Sequence, residues 1–136
     1  MKIYTLFAYI FFILVFPTSS FAKNDGLTIY ISPNGHDEYN GSSAKILKGQ
    51  GPVRTLNQAR NIVRKIRLKN PNLAKPIYVR LLAGTYRLDQ PFSLDAIDSG
   101  TNISPTIYQA DLPNTVTISG AIPLKPNGWK STNKCT

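Results

Sequence analysis

From Ile77 onward the chain is written in short apolar, β-branched runs: residues 77–82, 85–88, 92–94, 106–109 and 116–119. They follow one another about 10 residues apart, which is the texture of an all-β segment rather than of alternating helix and strand. Turn-forming residues separate them, namely Ala83-Gly84, Asp89-Gln90-Pro91, Asp98-Ser99-Gly100 and Pro113-Asn114. Strands this short with turns between them fit a sandwich, a barrel or a solenoid. Periodicity does not choose among the three. No strict internal repeat is visible, and two coils would be too few to show one.

Upstream, residues 27–31 read as another strand, closed by the turn chemistry of Ser32, Pro33, Asn34 and Gly35. Residues 34–52 form a polar, Gly/Ser-rich loop, long enough to be mobile or functional. A helix is predicted to start near Thr55, where Thr55 and Gln58 have the spacing of a capping box. Leu56, Ala59, Ile62, Val63 and Ile66 recur at three- and four-residue steps and make one apolar stripe. Arg60, Arg64, Lys65, Arg67 and Lys69 take the other faces, with cations gathered toward the C-terminal end that the helix dipole favours. Asn70 and Pro71 end the helix, whose stripe must lie on an apolar partner.

The segment 1–22 is predicted to be a signal peptide. Lys2 gives a basic start, residues 6–16 are apolar, and Ser20 and Ala22 supply the small residues for cleavage after Ala22. An uncleaved anchor is the rival reading, but the apolar run is short of the roughly 20 residues that span a bilayer. The mature chain is then 136 less 22, or 114 residues, enough for one small domain. The 16 basic side chains less Lys2 leave 15 against 7 acidic ones, a net charge of +8. Such a charge favours acidic partners or simply keeps the protein soluble. Cys135 is the only cysteine, so no intramolecular disulfide forms.

Taken in order, the motifs resemble the opening segment of secreted right-handed parallel β-helix proteins of the pectate-lyase-like type, a group rich in polysaccharide lyases and glycoside hydrolases. Ser32, Pro33, Asn34, Gly35, His36 and Asp37 match the Ser-Pro-x-Gly-x-Asp turn, and Pro52, Thr55, Leu56, Ala59 and Arg60 match the capping helix. Gly84-Thr85-Tyr86, Asp98 to Thr101, Ile118 to Gly120, and Gly128-Trp129 match the first coils. The resemblance implies a mainly β fold with one N-terminal capping α-helix and about two coils over residues 23–136. It implies secretion to a periplasmic or extracellular space and a polysaccharide, possibly acidic in character, as partner. The catalytic residues of such proteins lie on later coils, so no catalytic residue is carried over. The polar stretch 130–136 has no capping device and points to a truncated chain. Three functions follow: a noncatalytic N-terminal segment of a carbohydrate-active protein, a lyase or hydrolase acting on an acidic polysaccharide, and a small basic polysaccharide-binding module.

The candidate substrate-binding residues are Arg60, Arg64 and Arg67 on the helix, together with Trp129. The bland reading of the arginines is a solvated outer face. Tyr78, Tyr86, Tyr108 and Trp129 are candidates for stacking on sugar rings, with core packing as the alternative. Asp89, Asp95, Asp98 and Asp111 raise a calcium reading, set against the habit of turn aspartates of bonding their own backbone. No cofactor or metal is expected in this chain, calcium being reserved for a longer parent. His36 beside Asp37 and Glu38 is read as a solvated loop rather than an acid–base group. A Cys135–His36 nucleophile pair is set aside because the cysteine is terminal. Neither nucleic-acid binding nor stable membrane insertion after cleavage is expected.

Overall fold

The computed structural model describes residues 26–124. The expected leader (1–22), Gly128, Trp129, Cys135 and the 130–136 stretch lie outside them. Within them the elements run β1 (Leu27–Ile31), α1 (Leu56–Lys69), β2 (Ile77–Leu81), β3 (Gly84–Arg87), α2 (Ala96–Ser99), β4 (Thr106–Ala110) and β5 (Val116–Ser119). The architecture is mainly β and every strand pairing is parallel. No helix among the described residues is long and apolar enough to cross a membrane.

Two small sheets form, one in the order β1-β2-β4 and one pairing β3 with β5. Ile77 sits opposite Thr106 and Gly84 opposite Val116, so the chain returns in register to each sheet after a circuit of similar length. Every strand position faces the matching position one circuit later, and inward side chains therefore stack on inward side chains. Alternation in β2 shows it: Ile77, Val79 and Leu81 are buried, while Tyr78 and Arg80 are only partly so. The core joins these residues to Ile29, Ile31, Val53, Leu56, Ala59, Val63 and Tyr86.

Helix α1 supplies one wall of that core. Leu56, Ala59 and Val63 of the apolar stripe are buried, with Ile62 and Ile66 packed beside them. Its N-terminus differs from the expected capping box. Thr55 Oγ1 accepts from the Gln58 N–H at 3.1 Å, but the Gln58 amide donates to the Asp37 carbonyl instead of reaching back. The Asp37 carboxylate takes over, accepting from the N–H groups of Arg54 and Thr55 and from the Thr55 hydroxyl at 2.8–2.9 Å. A distant turn therefore caps the helix.

The 34–52 loop folds over the outer edge of β1 rather than standing away from it. Tyr30 N–H donates to the Gly41 carbonyl, Ser32 N–H to that of Val53, and Val53 N–H to that of Tyr30. These bonds satisfy an edge that would otherwise be open to pairing with another chain. Beyond β4, no described strand does the same.

Two further expectations fail locally. Residues 92–94 form no strand; Phe92 instead packs against the core and meets Tyr108 edge-on at 5.9 Å. Asp98-Ser99-Gly100 is the end of α2 rather than a free turn. Gly100 there has φ +82°, and a Cβ on it would run into the Arg67 guanidinium. Gly84 opens β3 at φ +142° against Pro33, whose Cγ would lie 2.7 Å from an added Cβ. That close approach ties the Gly-Thr-Tyr motif to the Ser-Pro turn.

Candidate functional site

The helix arginines, candidates for gripping a polymer, each already hold a partner on the segment 93–106. Arg60 donates from Nη1 to the Ser93 carbonyl at 2.6 Å and lies over the Phe92 ring. Arg64 forks onto Asp98, with Nε to Oδ1 and Nη2 to Oδ2 both at 2.7 Å, and Nη2 also meets Asp95 Oδ2 at 2.8 Å. Arg67 donates from Nη2 to the Ser104 carbonyl and the Thr106 hydroxyl. Residues 60, 64 and 67 share one face of α1, and this face staples the helix to the connection between β3 and β4.

Asp98 is the centre of that staple. It is 2 % exposed, and its Oδ2 also accepts the Asp95 N–H at 2.7 Å. The hydrogen bonds from Arg64 hold its carboxyl below the usual range against the opposing effect of burial. The same pair pushes the Arg64 guanidinium further above its ordinary value. An aspartate so held is ionised and enclosed, the opposite of a general acid.

The remaining carboxylates are placed as follows. Asp37 caps α1, and Asp111 meets Arg80 Nη1 at 3.2 Å. Among the described residues no three His, Cys, Asp or Glu side chains converge as a metal site would require. His36 is exposed and its Nδ1 accepts from the Glu38 N–H, a local turn contact. Tyr86 is buried; its hydroxyl lies 2.9 Å from the Ile31 carbonyl and 2.7 Å from that of Leu82, and burial pushes it up to about 12. Burial does the same to Tyr108, whose hydroxyl has no hydrogen-bond partner among the described residues. Tyr78 is only partly buried.

Two concavities stand out among the described residues. One is an apolar groove of about 550 Å³ between Leu56, Leu88, Phe92, Tyr108, Val116 and Ile118. It opens the core on the side of β4 and β5. The other is a cleft of mixed character, about 480 Å³, between the first turn of α1 and β3, with Pro33, Leu56, Tyr86 and Leu88 among its walls. Arg54, Asn57, Arg87, Asp89 and Gln90 line it; apart from Asp89, weighed as a calcium ligand, the sequence singles out none of them. Arg54 and Arg87 carry no helical or strand pattern in common, and only the fold brings them to one cleft.

No protein-family model matches the chain. No curated protein matches it either. A solved structure described as a glycoside hydrolase is similar to it, with 30 % sequence identity and a TM-score of 0.65. That likeness covers 79 % of this chain and 17 % of the other, so this chain spans about a sixth of its neighbour's length. The chain therefore has a carbohydrate-active relative.

Proposed function

We propose that this chain is the closed, opening end of an exported right-handed parallel β-helix belonging to a carbohydrate-active protein, and that it is noncatalytic by itself. The observation that carries the reading is the in-register return of the chain to each sheet, Ile77 onto Thr106 and Gly84 onto Val116. A period on the order of 30 residues suits stacked coils, and parallel strands joined by a crossover are right-handed in almost all proteins. Helix α1 and the 34–52 loop close the β1 end, and the apolar groove at the other end is the seat for a following coil. The catalytic groups of a longer protein of this kind are assigned to later coils.

The carboxylates support the noncatalytic part. Glycosidic bond hydrolysis uses two carboxyl groups flanking the substrate, one of them held protonated. Here Asp98 is held ionised in a buried ion pair, and Asp37 and Asp111 are bonded within the fold. Incubating the purified chain from residue 23 with a polyuronate and with a neutral polysaccharide is expected to release no reducing ends. Ultraviolet absorbance from unsaturated ends is likewise expected to stay flat. Product formation that is lost on replacing one of the chain's own carboxylates would make it an enzyme and overturn the noncatalytic reading.

A further inference from the structure

The 34–52 loop has a neck and a tip. At the neck Gly41 N–H donates to the Gly51 carbonyl at 3.0 Å, next to the bond from Tyr30 N–H to the Gly41 carbonyl. Gly51 lies against the Tyr39 ring, where an added Cβ would come within 2.8 Å of Cδ2. The chain between these glycines is pinned at its base and closed by a tight turn at its end. Leu47 and Gln50 exchange both backbone bonds, at 2.7 and 2.6 Å, and Gly49 takes φ +71° between them. Nothing lies within 4 Å of a Cβ placed on Gly49, so the apex stands in the open.

Ile46 and Leu47 are neighbours on this tip, each 58 % exposed, with Lys45 before them and Lys48 after. Neither ammonium has an acceptor among the described residues. Glu38, the nearest acidic residue along the chain, lies 3.8 Å from His36 Nδ1 instead. Residues 39–88 contain no Asp or Glu at all. The loop covers the β1 edge, whereas the apolar groove opens beside β4 and β5, so a coil seated there leaves the tip uncovered.

We propose that residues 45–48 form a docking tip for an anionic lipid surface. Two adjacent apolar side chains suit the boundary between headgroups and acyl chains, and flanking lysines hold their charges at the level of the phosphates. A polyanion without an apolar layer would answer the lysines and leave Ile46 and Leu47 in water. A lipid surface takes all four side chains at once. The turn is already closed by its own hydrogen bonds, so docking orders little further backbone. The chain rests on such a surface and does not span it. Composition and geometry single out the tip independently of the carbohydrate-active reading above.

The test is sedimentation of the chain from residue 23 with two kinds of vesicle, phosphatidylcholine alone and phosphatidylcholine mixed with phosphatidylglycerol. The leader is omitted because its apolar run would enter either vesicle by itself. The anionic vesicles are expected to bind the chain at least about tenfold more tightly than the neutral ones. Lys45→Gln and Lys48→Gln should each weaken that binding about fivefold. Ile46→Ser and Leu47→Ser should each weaken it about tenfold. Leu68→Ser and Lys65→Gln, at exposed positions of α1, should leave it unchanged. All four tip positions are exposed, so their variants should melt like the parent. Undiminished binding by Ile46→Ser and Leu47→Ser would reduce the tip to a cationic patch and overturn the proposal. Equal binding to both vesicles, no binding to the anionic ones, or equal losses from the α1 variants also overturns it. Each of these outcomes leaves the proposed role of the chain standing, since that role is judged by bond cleavage and coil stacking.

Discussion

Val63→Asp is expected to abolish cooperative folding. Val63 is fully buried on the face of α1 that meets Ile29 and Ile31, and no cation or free donor among the core residues could pair with a carboxylate there. Placing an unpaired charge in such a site costs several kcal/mol even after it takes up a proton. A domain of this size has about 5–15 kcal/mol in total. Thermal melts followed by far-ultraviolet circular dichroism should show no sharp transition, whereas Lys65→Asp, two residues away on the exposed face, should melt like the parent. A Val63→Asp protein that melts within a few degrees of the parent would mean that α1 is not seated on the core.

The second large effect belongs to Asp98. Asp98→Ala strips Arg64 of its forked partner and leaves the Asp95 N–H without its acceptor. Removing one member of a buried ion pair costs about 3 kcal/mol. In a domain of roughly 100 residues that lowers Tm by about 15 °C. The pH dependence carries the same signature. The folded carboxyl titrates below its ordinary 3.8, so its contribution is complete above that value and is lost as pH falls through the lower, folded one. The parent should therefore lose stability below about pH 4 more steeply than Asp98→Ala, and the gap between them should narrow there. A constant gap down to acid pH would show that the carboxylate's charge does not hold the staple.

What the sequence reveals and what it hides divide along contact range. Helix α1 is legible because its evidence is local: Thr55 before it, a stripe at three- and four-residue steps, and Asn70-Pro71 after it. The strands are legible to within a residue or two for the same reason. Phe92 and Leu94 imitate a strand because an apolar spacing of two also arises when a connection lays one side chain into the core. The parallel pairing is invisible to periodicity, since it joins strands that lie far apart along the chain. The arginines show the limit most clearly. Their spacing of four and three places 60, 64 and 67 on one face, which suits a polymer grip and a staple equally. Only their distant partners on the 93–106 segment decide for the staple. Asp95-x-x-Asp98 is the one local sign that a basic face is answered from within the chain. The cleft around Arg54 and Arg87 leaves no such sign, because two isolated cations on separate elements have no pattern to read.

Amide hydrogen exchange resolved by residue tests the proposed stack of parallel coils, closed at β1 and open at β4. Ile77 N–H donates to the Pro105 carbonyl and Asp111 N–H to that of Leu81, which turns the amides of Ile107 and Gln109 toward β2. Those of Thr106, Tyr108 and Ala110 then point to the open side. Slow exchange is expected throughout β2 and at Ile107 and Gln109, with Thr106, Tyr108 and Ala110 exchanging early. Uniformly slow exchange along β4, or protection of β4 exceeding that of β2, would contradict it.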